Sequence, residues 1–410
     1  MTDQPTQLAF DFVEPMPLLN QQVPVKQRAR LFAQQLPYRA RPYAKRNWGH
    51  PLHSLCSYQG KLKPAIAHFL VKIFTRPGER VLDPFSGVGT IPFEAGLQGR
   101  VGIGGDINPI AYHSTLAKVR RVDADRVEQI LNELVEFLND YVLPPRVAES
   151  VQISVNRPIQ EYYHPDTFIE ILKAREFFRQ WAHEHSPEIS FVMACLLHIL
   201  HGNRPYALSR RSHGITPFAP TGPFVYKSLM TSLRDKVRRM LAEPLPDTFV
   251  EGDAHHASIF DLALDKRVDV IITSPPFIQS TRFYSSNWIR LWFCGWDWED
   301  QVAMKDQFLE EKQRKDIGIY ADVLRAFDRL IKPAGLCIMH LGATRGRRMG
   351  EEILPYVSVN GFEFIGLESE NVEDCESHGV CDQGSTVRHQ FLFLRRRASR
   401  DTGSGLYLPQ

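Results

Sequence analysis

Three short segments of this sequence place acidic, hydroxyl or proline residues directly after apolar runs. DPFSGVGT at 83–90 combines an aspartate with two glycines, GGDI at 104–107 carries a second acid, and VIITSPPF at 270–277 ends in a serine, two prolines and an aromatic ring. The apolar runs before them predict buried strands of a parallel sheet. Because ligands bind at the carboxyl ends of such strands, we expect the three segments to form one site.

The glycine turn favours a ligand that approaches the backbone closely. Gly87 and Gly89 lack the Cβ atoms that would hold a ligand away, and a helix predicted from Thr90 adds unpaired N–H donors. The segment lacks both the GxGxxG dinucleotide fingerprint and the Lys-Ser/Thr ending of a P-loop, so neither a dinucleotide nor a phosphate is predicted. Asp83 at the strand end can bind an ammonium group.

Two more acids extend this recognition pattern. Asp106, at the end of the second predicted strand, can accept both hydroxyls of a ribose. Asp253, which is expected to end the third strand, could accept the exocyclic amino group of an adenine. A single aspartate is more often a cap or turn former. Three at successive strand ends favour a ligand that combines an amino acid, a ribose and an adenine, which is S-adenosylmethionine.

The elements that position these residues alternate along the chain. Strands are predicted at 79–85, 100–107, 247–254, 268–275, 334–343, 362–368 and 388–396. Helices follow the first two strands, and this alternation predicts a parallel sheet with helices on both faces. We therefore expect an α/β fold with a seven-stranded, mostly parallel sheet.

Composition and periodicity divide the chain into five segments. Residues 1–24 are predicted to be flexible, and 25–122 to hold a basic arm and the first half of the catalytic domain. Residues 123–244 are mostly helical by periodicity and form an insert that could recognise the target. The second half of the catalytic domain follows at 245–397, and 398–410 is a tail.

Two motifs resemble those of the amino-group DNA methyltransferases, which modify adenine N6 or cytosine N4. DPFSGVGT resembles the cofactor motif DPF-x-G-[ST]-G-T, with Val88 where serine or threonine is usual, and SPPF resembles the catalytic motif [DNS]-PP-[YF]. The segment 57–74 is similar to the helix that closes the methionine side of the cofactor pocket. Over roughly 50–122 and 245–397 the resemblance implies a Rossmann-like class I methyltransferase fold and S-adenosylmethionine as the cofactor. The predicted cofactor-binding residues are Tyr58, Lys61, Asp83, Pro84, Phe85, Gly87, Gly89, Thr90, Asp106, Ile107, Asp253 and Ala254.

The resemblance makes Ser274, Pro275, Pro276 and Phe277 the predicted catalytic residues. The lone pair of an exocyclic amine is conjugated into the base, so hydrogen bonds to the Ser274 hydroxyl and the Pro275 carbonyl would direct it at the methyl group. Phe277 would stack on a base rotated out of the duplex. In this family, enzymes whose catalytic motif begins with serine tend to methylate cytosine N4, and those whose motif begins with Asp or Asn tend to methylate adenine N6. The chain contains no Pro-Cys pair, so methylation at cytosine carbon 5 is not expected.

Charge is unevenly distributed although the formal net charge is only +2. No acidic residue lies between Glu14 and Glu79, where basic and aromatic residues alternate. This pattern is typical of a nucleic-acid contact, and a solvated arm explains it equally well. The residues predicted to contact DNA are Arg39, Arg41, Arg46, Arg204, Arg210, Arg211, Arg282, Tyr284, Arg345 and Arg347.

The sequence therefore predicts a site-specific DNA methyltransferase, with cytosine N4 favoured over adenine N6. The remaining alternatives are an RNA methyltransferase acting on guanine N2 and a non-catalytic nucleic-acid-binding protein. Double-stranded DNA is the expected partner, and the family resemblance adds a companion restriction or defence protein. Scattered cysteines and the lack of a long apolar run predict a cytoplasmic protein without a membrane segment. No recognised zinc-ligand spacing is present, so no metal site is predicted.

Overall fold

The computed structural model describes residues 21–398 except 46–47, 145–146, 148–150, 182–183, 215, 279–281, 373–375, 378–379 and 382–385. The strands are β1 Arg80–Asp83, β2 Val101–Asp106, β3 Asp253–His256, β4 Val268–Thr273, β5 Ile331–Ala343, β6 Phe362–Asn371, β7 Glu376–Ser377, β8 Val380–Cys381 and β9 Arg388–Arg396. Seven of them form one sheet in the order β3-β2-β1-β4-β5-β9-β6, while β7 and β8 pair separately.

Parallel pairing dominates the sheet. The five strands β3, β2, β1, β4 and β5 run parallel to their neighbours, and β9 is antiparallel to both β5 and β6. The run from Val270 to Thr273 in β4 is buried on both faces, as its unbroken apolar sequence predicts. The predicted seven-stranded, mostly parallel sheet is confirmed.

Helices cover both faces of this sheet. The helices outside residues 123–244 are α1 Val25–Gln35, α2 Pro64–Phe74, α3 Thr90–Leu97, α4 Pro109–Val119, α9 Phe283–Ser286, α10 Trp288–Phe293, α11 Trp298–Met304, α12 Leu309–Lys315, α13 Ile319–Leu330 and α14 Met349–Val357. One face of the sheet packs against α1 and α2, and the opposite face packs against α13 and α14. The two apolar layers fix the sheet, so its carboxyl edge is a rigid support for side chains.

In the described part of residues 123–244 there are four α-helices: α5 Ala124–Asp140, α6 Pro165–Arg179, α7 Pro187–Ile199 and α8 Leu229–Leu241. Side chains of Asp123, Ser186 and Ser228 accept backbone N–H groups at the starts of α5, α7 and α8, which fixes where these helices begin. The helices share one apolar core with α10. No helix in the described part of the chain is long and apolar enough to cross a membrane.

Two predicted boundaries are wrong. Residues 247–252 are not a strand: their Val250 and Gly252 N–H groups donate to Gly96 and Val119, and β3 begins only at Asp253. Phe249 is buried by packing, which gave this segment a strand-like apolar pattern. Residues 57–63 are not helical either, because α2 starts at Pro64, where proline is favoured at a first helical position.

Candidate active site

The ends of β1, β2 and β4 meet at one cavity. Its empty volume is about 840 Å³, a figure that includes its opening to solvent. Asp83, Asp106 and Ser274 supply polar groups from the three strand ends. The remaining lining residues are Tyr58, Gly60, Lys61, Leu62, Pro84, Phe85, Ser86, Gly87, Val88, Thr90, Ile91, Ile107, Ser258, Ile259, Phe260, Pro276, Phe283, Gln307, Phe308, Leu309 and Glu310.

The glycine turn is held in a single conformation. Gly87 and Gly89 have φ values of 50° and 71°, in the left-handed region that glycine adopts without strain. A Cβ on Gly89 would lie 2.7 Å from Thr115 Oγ1 and 2.9 Å from the Thr115 Cα, so only glycine fits there. The buried Lys118 donates to the Val88 carbonyl at 2.5 Å. The turn therefore presents its backbone to the cavity as a fixed surface.

Asp83 is buried, and no described residue forms an ion pair with it. Thr273 Oγ1 donates to its Oδ1 at 2.6 Å and the Phe85 N–H donates to the same oxygen at 3.2 Å. No hydrogen bond to Oδ2 comes from the described residues, and the side chain lines the cavity. Burial raises the pKa of Asp83 to about 7. A positively charged ligand group would restore the ionised form, so the carboxyl group fits an ammonium.

Asp106 ties β2 to the glycine turn. Its Oδ2 accepts the Gly87 N–H and its Oδ1 accepts the Asn108 N–H, both at 2.9 Å. Burial raises the pKa of Asp106 to about 6 despite these bonds. The side chain is partly exposed into the cavity, so both oxygens keep lone pairs that ligand hydroxyls can reach.

An aromatic wall closes one side of the cavity. The rings of Tyr58 and Phe283 are stacked with centroids 5.8 Å apart, and Asn108 Nδ2 donates to the Tyr58 hydroxyl oxygen at 3.1 Å. A Cβ on Gly60 would lie 3.1 Å from the Phe283 ring, so the chain passes close to this wall. The segment 57–74 was predicted to close the cofactor pocket with a helix. The residues of this segment that line the cavity lie within Tyr58–Leu62, before α2 begins.

The predicted catalytic turn at 274–277 is held from two sides. Ser274 Oγ lies 3.0 Å from His340 Nδ1 on β5, and Gln313 Nε2 on α12 donates to the Pro276 carbonyl at 2.9 Å. Ser274 and Pro276 line the cavity, whereas Pro275 and Phe277 do not. The Phe277 ring instead packs over Gly342, where a Cβ would lie 2.5 Å away.

Most predicted cofactor residues line this cavity, and three do not. Gly89 supports the turn from behind, against Thr115. Asp253 and Ala254 lie in a separate surface depression, where Asp253 Oδ1 is 2.9 Å from His185 Nε2. Asp253 pairs in register with Ile103, three residues before Asp106, so it stands at the start of β3 and away from the carboxyl edge. The expectation that Asp253 ends a strand at this edge is wrong.

Among the site residues that sequence reasoning missed, three groups show why. Ser258–Phe260 follow the true end of β3, and the Ser258 hydroxyl accepts the Phe260 N–H at 3.3 Å, a turn signal that could have located them. Glu310 lies at the start of α12, where LEEKQRK reads as a solvated helix. It is 2% exposed, and burial raises its pKa to about 7. His340 lies in an apolar strand and has no local signal.

The residues predicted to contact DNA fall into two groups. Arg39 pairs with the buried Glu370, Arg347 pairs with Glu352, and Arg210 donates to the Glu161 and Gly222 carbonyls. Arg282 Nε lies 2.9 Å from Glu311 Oε1, and Tyr284 packs against Phe308. Three exposed arginines have no side-chain ion pair with the described residues, namely Arg41, Arg204 and Arg211. Arg345 is exposed on the loop after β5, and Arg46 lies outside the described residues.

Comparison with known proteins bears on the first half of this site. Residues 53–138 match the protein family described as UPF0020, RMKL-like, methyltransferase domain. The matched residues include Tyr58 of the aromatic wall, the glycine turn and Asp106, but not Phe283. Residues 53–138 are about a fifth of the chain and are similar to a methyltransferase domain. The match ends before the turn at 274–277, so it leaves the substrate open.

The solved structures that this chain matches are distant from it in sequence. TrmN from Thermus thermophilus is 15% identical with a TM-score of 0.30, and the match covers 84% of this chain and 52% of TrmN, so the chain spans about half of that protein. A TehB-like SAM-dependent methyltransferase from Corynebacterium glutamicum is 10% identical (TM-score 0.29, 81% and 87% covered). The rRNA methyltransferase aviRa from Streptomyces viridochromogenes is 11% identical (TM-score 0.27, 83% and 88% covered). No curated protein sequence matches this chain.

S-adenosylmethionine is the expected cofactor, and the cavity fits it. Asp83 offers a buried carboxyl group without a cation, which suits the ammonium group of the amino acid. Asp106 offers acceptors for ribose hydroxyls, and the apolar Ile259 and Phe260 can contact a heterocyclic base. When bound, the cofactor supplies an electrophilic methyl group. The residues at the three strand ends would fix its orientation.

Proposed function

We propose that this protein transfers a methyl group from S-adenosylmethionine to the exocyclic amino group of a nucleobase, with cytosine N4 in DNA as the favoured target. The observation that carries the proposal is the position of Ser274. Its hydroxyl group lines the same cavity as Asp83 and Asp106, at the end of the neighbouring strand β4. A hydrogen-bond acceptor is thus fixed beside the expected cofactor site.

The chemistry of the turn supports an amine as the nucleophile. Two successive prolines fix the backbone, and the Gln313 amide holds the Pro276 carbonyl at 2.9 Å. Ser274 Oγ lines the cavity and can accept an N–H of the amino group, which helps to aim the nitrogen lone pair at the methyl group. Such fixed acceptors stabilise the transition state without rearrangement.

The surface beside the cavity supports a nucleic acid as the substrate. Thr216 Oγ1 donates to Gln59 Oε1 at 3.1 Å, which ties the irregular segment 200–228 to the residue next to Tyr58. On this segment Phe218 and Phe224 are 55% and 50% exposed. Exposed rings near arginines suit unpaired bases.

An RNA base is the second candidate substrate. Exposed Phe218 and Phe224 can stack on bases, and single-stranded RNA presents unpaired bases without the energetic cost of flipping. Arg204 and Arg211 can contact phosphates of either nucleic acid. The exposed residues therefore suit both substrates, and the experiment has to distinguish them.

The test uses the full chain and S-adenosylmethionine with a deuterated methyl group. Unmethylated genomic DNA, tRNA and rRNA are incubated separately, digested to nucleosides and examined by mass spectrometry. Deuterated N4-methylcytosine in DNA is expected, and the variants Ser274→Ala and Asp106→Ala should form much less of it. N6-methyladenine would retain the mechanism and overturn the cytosine assignment. Label in RNA alone would overturn DNA as the substrate, and label in no nucleoside would overturn the proposal.

A further inference from the structure

A histidine is buried directly behind the catalytic turn. His340 on β5 is 3% exposed, and its Nδ1 lies 3.0 Å from Ser274 Oγ. Its Nε2 is also buried and has no hydrogen-bond partner among the described residues. The only polar contact of this imidazole within the described part of the chain is therefore the catalytic serine.

The groups around His340 are mostly rings. Its ring centroid lies 5.3 Å from that of Phe277, 5.0 Å from that of Phe391 and 4.6 Å from that of His389. Nδ1 of His389 lies 3.6 Å from Oε2 of the buried Glu370 on β6. Glu370 in turn contacts the Tyr38 hydroxyl and the Arg39 guanidinium. A negative charge therefore lies behind His389 rather than against His340 itself.

These surroundings favour the neutral imidazole. Burial lowers the pKa of His340 well below its usual value, and the neighbouring His389 lowers it further. Although burial alone would raise the pKa of Glu370, the adjacent His389, Tyr38 and Arg39 side chains hold it below its usual value. At neutral pH His340 thus has a nitrogen that can accept a hydrogen bond and later a proton.

We propose that His340 is a positioning residue for Ser274 and the acceptor of the proton that the target amine loses, an inference that rests on the function proposed above. The Ser274 hydroxyl donates to His340 Nδ1, so the lone pairs of Ser274 Oγ are left for the N–H group of the base. Without this bond the hydroxyl hydrogen could point into the cavity and oppose the amine.

The proton balance of the transfer is simple. The bond between the methyl carbon and the cofactor sulfur breaks as the carbon–nitrogen bond forms. The nitrogen passes one proton to Ser274 Oγ while Ser274 passes its own proton to His340 Nδ1. The products are a neutral methylated amine, a neutral thioether and an imidazolium, which carries the positive charge that the sulfonium held. The imidazolium releases its proton to water through Ser274 after product leaves.

The first test is His340→Asn in the full chain. The asparagine Oδ1 can replace Nδ1 as acceptor for Ser274 but cannot hold a proton. We expect kcat to fall by about 100-fold or more, as for the loss of a general base, while the Kd for S-adenosylmethionine changes less than about twofold. The wild-type kcat should decline on the acid side as His340 becomes protonated, and the variant should lack this decline.

The matched control is His113→Asn. Nδ1 of His113 lies 3.0 Å from Ser190 Oγ, the same distance as in the His340 pair, but His113 does not line the cavity. Its replacement reports the general effect of removing a serine–histidine hydrogen bond. A kcat for His340→Asn equal to that of His113→Asn, with the wild-type pH profile retained, would overturn the proposal.

A second readout needs no activity. In protein labelled with ¹⁵N-histidine, NMR should show His340 with unprotonated Nδ1 and protonated Nε2, and Ser274→Ala should move the Nδ1 resonance. A protonated Nδ1 would overturn the proposal even if His340→Asn fails to fold. A wild-type protein that methylates no nucleobase would instead remove the proposed function, and this inference with it.

Discussion

The cavity and the basic surface around it differ in how their charges are neutralised. Asp83 and Asp106 face the cavity with hydrogen-bond donors but no ion pair within the described residues. At the surface, Arg39 and Arg347 already have carboxylate partners in Glu370 and Glu352. A charge left without a partner by folding is available to a ligand, whereas a paired charge has a structural role.

The cavity also concentrates groups whose ionisation is unfavourable. Burial raises the pKa of Asp83 and of Glu310 to about 7 and that of Asp106 to about 6. Three carboxyl groups of this kind in one cavity cost the free protein stability, and a cationic ligand recovers part of that cost. The paired surface arginines involve no comparable cost. This difference separates ligand-binding charges from structural ones, and four experiments can test it.

The largest expected effect is the pH dependence caused by Asp83. Its carboxyl group binds protons more tightly in the folded protein than in the unfolded chain, with a pKa of about 7 against the ordinary 3.8. Stability without ligand therefore falls as pH rises from about 4 to 7, by about 4 kcal/mol from this group. Cofactor binding needs the ionised form, so affinity should rise over the same range and level off above pH 7.

The check for Asp83 is Asp83→Asn, measured by urea unfolding and by calorimetric titration between pH 5 and 8. In the variant, the decrease of the free energy of unfolding with pH that Asp83 causes should disappear, and so should the increase of cofactor affinity with pH. A smaller decrease of the free energy of unfolding with pH should remain in both proteins, because burial also raises the pKa values of Asp106 and Glu310. Wild-type affinity that stays constant across this range would contradict the assignment of Asp83 to the ammonium group.

Gly89→Ala should have the next largest effect, on stability. A residue with a Cβ at φ 71° is strained by about 1–2 kcal/mol, and the contact with Thr115 adds a comparable amount. We expect the free energy of unfolding to fall by about 3 kcal/mol. Gly87→Ala is the matched comparison, because its nearest neighbour would be Tyr58 at 3.6 Å. It should lower cofactor affinity more than stability, and the reverse result would contradict the distinction between lining and supporting glycines.

Asp106→Ala should weaken S-adenosylmethionine binding by about 10- to 100-fold, the effect of losing hydrogen bonds to a charged acceptor. Asp253→Ala is the matched control, since it removes an aspartate of the adjacent strand that lies outside the cavity. Its dissociation constant should stay within about twofold of the wild type. Equal losses in the two variants, measured by calorimetry, would show that strand position does not decide cofactor contact.

The two aspartates also illustrate what sequence can predict. Asp83 and Asp106 follow short apolar runs and are bonded to backbone N–H groups within the same turns, so local sequence determines their position. Asp253 was misplaced because Phe249 is buried by tertiary packing in an irregular segment that resembles a strand. Because the strand was predicted at 247–254 and not at Asp253–His256, the prediction did not include Ser258 among the cavity residues.

Contacts between side chains that are distant in the sequence could not be predicted from local sequence patterns. His340 is 66 residues from Ser274, and the pairing of β4 with β5 alone brings them together. Glu370 similarly contacts Arg39, which is 331 residues away in the sequence. The basic segment predicted to contact nucleic acid therefore uses at least one of its arginines in an ion pair within the protein. The mostly parallel sheet was predictable from the alternation of elements, but whether a charged side chain finds a partner inside the protein depends on the assembled sheet.

The smallest expected effect concerns the surface arginines. Arg211→Gln should lower affinity for nucleic acid by about three- to tenfold and reduce the salt slope by about one, as for the loss of one phosphate contact. Arg347→Gln is the matched control, because its guanidinium is already held by Glu352 and its loss should change affinity less than about twofold. Fluorescence anisotropy with labelled duplex DNA and single-stranded RNA at several salt concentrations measures both. If Arg347→Gln weakened binding as much as Arg211→Gln, an arginine already paired with a carboxylate would contact nucleic acid as strongly as an unpaired one. The distinction between paired and unpaired charges would then be wrong for this surface.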